Sequence, residues 1–517
     1  MSESEQLPAR PGRSPFTLAA EALIATASVA GLVVFAAVAY FRMRFPFELE
    51  WIEGSMLDHV RRVIAGLPLY PPPSLDFIPA LYPPLYYYVA ALACRAFGDG
   101  LFALRVVSSI AALGCFVLIF EVVRREQRRA LWALFAAGLF AATYRACGAW
   151  LDLARVDSLF LFFLLASIAC VRFGDSAAAG VAAGLLAAAA TLTKQTALPA
   201  LAPLVCWTVF YRRRRAVPLL ASFGAAFAVA AFLLDRASAG WFWRYCFTYQ
   251  AQQPMSGHSP WAFWTVFIFG QTPIAAMAAV AYLAGGWFGR RNAETWFYAA
   301  LLAGTGGISW LAYTKSGGAD NNFLPLAAVL AIVAALGFAE AVRMFAGRPR
   351  AQRLAIAAIA ALCLAQFASL RYDPAALVPS PADAAAGGRL LATLRVFPGE
   401  VFIAGHGYLG PSIGKRSHSH AQGWQDVFHT RDSAAKRALE AEITAAFAGG
   451  RFDAIVLDDL DYPFLRILLT RYRYVGELFR NDEFWPKSGI VTRPDFLFVR
   501  NDPAVSEDDA TGSGRHG

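Results

Sequence analysis

Between Phe45 and Ser74 the chain reads FPFELEWIEGSMLDHVRRVIAGLPLYPPPS, with Glu48, Glu50, Glu53 and Asp58 inside eleven residues. A carboxylate placed against a hydroxyl can take its proton and make it a nucleophile. From Glu50 to Leu67, Ile52, Met56, Val60, Val63 and Leu67 recur at helical spacing and form one apolar stripe. Glu50 and Glu53 stand i,i+3 at the edge of that stripe, as neighbours on one helix surface. Other groups with chemistry follow at wide intervals. Asp152, Arg155 and Asp157 precede the apolar run LFLFFLL, and Lys194 stands alone between two apolar runs. Arg244 and Tyr249 lie in an aromatic- and amide-rich stretch, and Lys315, Asp320 and Asn321 gather in YTKSGGADNN. A lone ammonium at a membrane surface suits a phosphate, as a point charge, or simply snorkels to the headgroups. Asp152 and Arg155 are spaced to pair with each other. Asp157 begins a helix, where Asp is also a good N-cap.

Such groups must be brought to one level by the elements between them. Of 517 residues, 57% are hydrophobic and 16% charged, against about a quarter charged in soluble domains. With repeated long apolar runs, this predicts a polytopic membrane protein. The runs lie at 17–41, 101–123, 130–147, 158–173, 177–193, 195–211, 216–235, 261–285, 295–313, 322–342 and 353–370, about eleven spans at the usual length requirement. The first is long enough to remain as an anchor. Arginine clusters at 124–129, 212–215, 290–291 and 343–353 share one side of the membrane with Arg10 and Arg13 in this count, which the positive-inside rule makes cytoplasmic. Arg42 and Arg44 fall on the other side, against the trend. The count requires that 81–98, which opens with Pro83-Pro84, lie at the interface as a second such helix after 50–67. The remaining loops, with nearly all the unusual polar residues, then face outward.

Several functions are excluded or disfavoured. The net charge of +9 comes from short arginine clusters between apolar runs, a membrane pattern without the basic, aromatic-interleaved patch of a nucleic-acid surface. The seven cysteines mostly sit within apolar runs and show no CxxC, so they read as packing residues. HGYLGPSIGKRSHSH fails as a phosphate loop: three residues separate Gly410 from Gly414, and Arg416 stands where Ser or Thr is needed. His418 and His420 form an HxH without a third ligand at telling spacing, which favours a surface pair over a metal site. A transporter or flippase is the main alternative from another class. It would place ionisable groups mid-span and repeat its halves, whereas the charges here cluster at span mouths.

From about 385 the pattern changes. Helical stretches at 388–395 and 433–447 alternate with the strand-like EVFIAGH, DAIVLDD, YRYVGELF and DFLFVR, as in a small α/β domain. The expected organisation is a cytoplasmic tail (1–16), an all-α membrane module (17–370), an extracytoplasmic α/β domain (371–500) and a disordered tail (501–517).

The order ELEWIEG, GLPLY, YPPLYYY, ALRVVSS, DLARVDSLFLFF and LTKQTALPAL resembles the GT-C superfamily of integral-membrane glycosyltransferases. It is nearest to the RgtA/B/C/D-like and dolichyl-phosphate-mannose–protein mannosyltransferase-like group. The resemblance covers roughly 17–340. It implies a multi-pass enzyme of the plasma (inner) membrane. Such an enzyme moves a hexose or pentose from a polyprenyl-phosphate donor to a glycan, lipid or protein acceptor on the outer face, with inversion. By position, the family's acidic residue in the first outer loop matches Glu50 or Glu53, which stays open because the family often has Asp-Glu adjacent. The second acidic position matches Asp157, with Asp152 in reserve. Lys194, Arg155 and Arg244 are candidates for the donor phosphate. No cofactor is implied and no ligand spacing indicates a divalent metal.

Overall fold

In the first helix, α1 (Pro15–Met43), the Ser14 side chain accepts from the Thr17 N–H, and Pro15 occupies the first turn, where its missing N–H costs nothing. The computed structural model describes residues 14–501 except 258, 290, 291 and 481. Arg10 and Arg13, the pair at 290–291 and the tail after 501 lie outside the described residues. After α1 come α2 (Glu53–Ile64), α3 (Leu85–Phe97), α4 (Leu101–Gln127), α5 (Ala130–Ala142), α6 (Asp157–Phe173), α7 (Ala177–Thr193), α8 (Ala197–Tyr211) and α9 (Arg213–Ala237). Further apolar helices run over 264–288, 292–313, 320–343 and 349–369. Each expected span falls on helix.

By length and composition, five of the described helices can cross a membrane: α1, α4, α9, Asp320–Arg343 and Pro349–Ser369. The expected single span over 261–285 is instead two pieces, Trp264–Gln271 and Pro273–Phe288, meeting at 88°. Thr272 lies between them at φ −129°, ψ 38°. It precedes a proline, whose ring drives the residue before it out of helical geometry. Counting this bent pair as one span gives six. Helices α3, α5, α7 and α8 are apolar but shorter. α3 starts directly after Pro84 and has 13 residues, about 20 Å of helix, less than a bilayer core.

The C-terminal part forms a four-stranded sheet from β1 (Val401–Ile403), β2 (Ala454–Leu457), β3 (Tyr472–Glu477) and β4 (Phe496–Arg500), in the order β1-β2-β4-β3. β1 pairs parallel with β2, while β4 runs antiparallel to both β2 and β3. All four strand-like runs of the sequence become strands. Helices Pro381–Arg395 and Ser433–Ala448 match the two helical stretches.

Two apolar cores result. One lies among the membrane helices. The other joins the first loop, α3 and the start of α4 to the sheet, and includes Met56, Val60, Tyr86, Leu104, Phe402 and Ile455. Helix α2 therefore does not lie open on an interface. Its stripe is narrower than expected, because Leu67 is exposed and Met56, Leu57 and Val60 are buried against the C-terminal domain. Gly54 is required there, since any Cβ would meet the Tyr408 ring and the Glu48 carboxylate.

Polar bonds seal the same joint. The Glu48 N–H donates to the Tyr408 hydroxyl at 3.2 Å, and Ser417 Oγ donates to Asp58 at 2.6 Å. His406 sits between Glu48, bonded to its Nδ1, and Asp458, 3.2 Å from its Nε2. His418 and His420 are buried, not a surface pair. They face Asp76 and the Trp51 carbonyl, and no three metal-capable groups cluster among the described residues.

Burial opposes the charged His406 ring, but Asp458 and Glu48 outweigh it and raise its pKa to about 10. The unfolded value is about 6.5. A folded pKa above the unfolded one stabilises fully below the unfolded value, and the gain is lost as pH rises through the folded one. Melting temperature should therefore fall as pH climbs from about 6.5 towards 10. His406→Gln should flatten that part of the profile, as thermal unfolding across this window would show.

Candidate active site

Helix α4 supplies the group that shapes the first loop. Arg105 is fully buried. Its Nε and Nη2 donate to Glu53 at 2.9 and 2.6 Å, and its remaining donors reach the carbonyls of Phe45 (2.6 Å) and Phe47 (2.7 Å). Glu53 also accepts from the N–H groups of Ala154 and Leu49, both at 2.7 Å. Burial alone would raise its pKa, but Arg105 and these amides lower it. Both of its oxygens are saturated, so it holds the fold and has no lone pair aimed at a ligand.

Glu50 is different. It lies in the turn before α2, fully buried, with Oε2 accepting from Arg155 at 2.5 Å and from the Ile52 N–H at 3.2 Å. No donor among the described residues reaches Oε1. Burial raises its pKa to about 7, with Arg155 opposing. Arg155 is itself held charged: burial works against it, and Glu50 more than compensates.

Glu50 lines a cavity of about 370 Å³. Arg155, Lys194, Lys315 and Asn321 line it from the membrane module, and His420, Gln422 and Asp426 from the C-terminal domain. Lys194 ends α7 and reaches Asp157 Oδ1 at 2.7 Å; Asn321 donates to the same oxygen at 3.0 Å. Asp157 Oδ2 has no hydrogen-bond partner among the described residues. Asp157 lines a smaller pocket that shares Lys194 and Asn321 with the main cavity. It occupies the first position of α6 behind Val156, which takes the cap position, so it does not cap the helix. Lys315 donates to the Gln250 carbonyl at 3.3 Å. Asp320 opens the short turn that presents Asn321 but does not itself line the cavity.

Besides Glu53 and Asp320, three more of the expected site residues go elsewhere. Asp152 does not pair with Arg155. It accepts from the Tyr144 hydroxyl at 2.6 Å and faces Arg42 Nε at 3.2 Å, because the turn after Asp152 sends Arg155 towards Glu50. This also accounts for Arg42, which looked misplaced as a topology signal and is a buried ion partner. Arg244 and Tyr249 both turn to Asp432, at 3.6 and 2.8 Å, and tie the middle loop to the C-terminal domain outside the cavity. Conversely, sequence reasoning missed Gln422 and Asp426. They sit i,i+4 on helix Ala421–Phe428 with Gln422 donating to Asp426 at 2.9 Å, and burial pushes Asp426 up to about 7. Their spacing was visible, but nothing local says that this helix reaches the cavity.

The family model for dolichyl-phosphate-mannose-protein mannosyltransferase matches residues 82–234. The fold is similar to that of ArnT from Cupriavidus metallidurans in two crystal structures. The one bound to undecaprenyl phosphate shares 14% identity over 92% of this chain and 98% of ArnT, with a TM-score of 0.57. The apo structure shares 15% over 93% and 98%, with a TM-score of 0.58. No curated protein matches by sequence. Likeness along almost the whole of both chains identifies the architecture: this chain has the GT-C fold, and its apolar helices are those of a multi-pass membrane protein.

Proposed function

We propose that the protein transfers a sugar from a polyprenyl-phosphate donor to an acceptor hydroxyl, with Glu50 as general base. The observation that carries this reading is the unpartnered Glu50 Oε1 in the same cavity as Lys194 and Lys315. Glu50 takes the proton of the attacking hydroxyl, whose oxygen bonds to the anomeric carbon. The bond from that carbon to the phosphate oxygen breaks, its electron pair leaves on the lipid phosphate, and the configuration inverts. Cations fixed in place before the reaction stabilise that developing charge without reorganising. Asp157 and Asn321 hold Lys194 in position for it. The ArnT structure bound to undecaprenyl phosphate supports a lipid phosphate as the donor's carrier. The cavity lies where the C-terminal domain meets the membrane module, which suits chemistry on the outer face of the plasma membrane. In this reading the N-terminus is cytoplasmic and the 371–500 domain extracytoplasmic.

The test is transfer by the purified full chain from polyprenyl-phosphate-linked sugars to a membrane extract. Glu50→Gln should lower the rate by about 10²–10⁴-fold while the variant stays folded. Transfer that survives this change would discard Glu50 as the base. Glu53→Gln should act on stability instead. Each change removes one partner of a buried ion pair, which costs about 3–5 kcal/mol, but Glu53 accepts four hydrogen bonds and Glu50 two, so the melting temperature of Glu53→Gln should lie below that of Glu50→Gln in the same detergent.

The pH–rate profile follows from the base being required in its ionised form. With Glu50 raised to about 7, the rate should climb as pH rises through about 7 and level off above it. A profile flat between pH 5 and 8 would count against this assignment. Lys194→Gln should weaken undecaprenyl phosphate binding by about 10–100-fold, since a hydrogen bond to a charged group is worth roughly 1.5–3 kcal/mol. Titration of the lipid phosphate against intrinsic tryptophan fluorescence would read this.

A further inference from the structure

Residues 487–489 of the C-terminal domain run directly against the backbone and side chain of Glu50. The N–H groups of Lys487 and Ser488 both donate to the Leu49 carbonyl at 2.9 Å. Ser488 Oγ accepts from Arg42 at 3.0 Å and donates to the Ala149 carbonyl at 3.3 Å. Lys487 Nζ is anchored on Asp383 at 3.1 Å, and Asp383 also accepts from the Phe484 N–H at 3.1 Å. Phe484 in turn packs edge-on against Phe47, 5.2 Å between ring centroids. The strap is thus held at Phe484, Lys487 and Ser488 before it reaches the site.

At Gly489 the strap touches the candidate base itself. Its φ of +71° is in the left-handed region that favours glycine. A Cβ there would lie 2.7 Å from Glu50 Cγ, 3.1 Å from the Trp150 ring and 3.2 Å from Glu50 Oε1. The first of these is a carbon in the middle of the Glu50 side chain, whose carboxylate is held by Arg155, so moving it away from a Cβ strains that bond. Oε1 is also the oxygen without a hydrogen bond. A bare backbone at 489 therefore closes one side of the Glu50 carboxylate and leaves Oε1 room to face the cavity.

We propose that Gly489 is a positioning residue: the strap from the C-terminal domain holds the Glu50 side chain in its rotamer against Arg155, so that domain sets the geometry of the base. The word base rests on the function proposed above; the contact does not. The test uses the full chain in detergent, a water-soluble carbodiimide with an amine nucleophile, and mass spectrometry that separates labelling at Glu50 from Glu53. In Gly489→Ala, Glu50 should label at least fivefold faster and its pH midpoint should rise from near 7 as the Arg155 bond is lost, with Glu53 unchanged. Where the parent transfers sugar, kcat should drop at least tenfold with KM for donor within twofold. Val491→Ala, an exposed neighbour on the same strap, should match the parent throughout.

Parental labelling rate and midpoint at Glu50 in folded Gly489→Ala would overturn the proposal. So would Glu53 labelling that rises in step, because the whole loop would then have come apart. If Gly489→Ala does not fold, Lys487→Ala carries the test: releasing the Asp383 anchor should speed Glu50 labelling at least twofold, and no change would overturn the idea. Labelling needs no substrate. A parent chain that transfers nothing would sink the transferase reading and leave the strap to be decided on its own.

Discussion

The guanidinium of Arg105 binds both oxygens of Glu53 and the carbonyls of Phe45 and Phe47, and much of the structure hangs on it. A buried charge costs several kcal/mol unless it is paired and its remaining donors are used. Apart from the Arg42 carbonyl at the end of α1, 3.3 Å away, the partners of Arg105 among the described residues lie in the first loop. The loop must therefore leave α1, fold back over the start of α4 and begin α2 at Glu53. That path puts Glu50, three residues earlier, in the turn beside Arg155. One carboxylate is spent on architecture so that its neighbour can be held half-satisfied, which is how paired carboxylates take separate roles.

The C-terminal domain is the second wall of the same construction. Its core is continuous with that of the first loop, and it brings Gln422, Asp426 and His420 to the cavity that the membrane module lines with cations. The two sides differ in chemistry. The membrane side offers Arg155, Lys194 and Lys315, suited to an anion. The domain side offers carboxylate and amide oxygens, suited to hydroxyls. A sugar joined to a lipid phosphate carries both kinds of group.

Much of this was legible in the sequence, for physical reasons. Long apolar runs, turn prolines and the period-two strands report local structure, and the helices and all four strands fell where these patterns put them. The order of motifs along the first half pointed to the fold. Lys194, Asp157, Asn321 and Lys315, which line the two pockets, stood out in the sequence because ionisable or amide groups at span mouths are expensive without a purpose. What could not be read was pairing over long separations. The Asp152–Arg155 spacing suggested a local pair, but each residue found a partner on another element. Glu50 and Glu53 are equivalent by spacing, and only the position of Arg105 distinguishes them. His418 and His420 look like a surface pair until the domain is seen folded onto α2. The bend at Thr272 was signalled by Pro273 but hidden inside a continuous apolar run.

The Ser488 hydroxyl meets Arg42 across 446 positions of sequence, and His406 meets Glu48 across 358. Chains are made from the N-terminus at about 5–20 residues per second. The helices of the first half are therefore complete tens of seconds before the residues that cover Glu50 exist. Until then Met56, Leu57 and Val60 lack the C-terminal side of their core, and Glu50 lacks the strap that covers it. The cavity is thus the last thing the ribosome finishes. A chain cut short between Ser369 and the strap would sit in the membrane with its apolar helices in place and its chemistry unassembled.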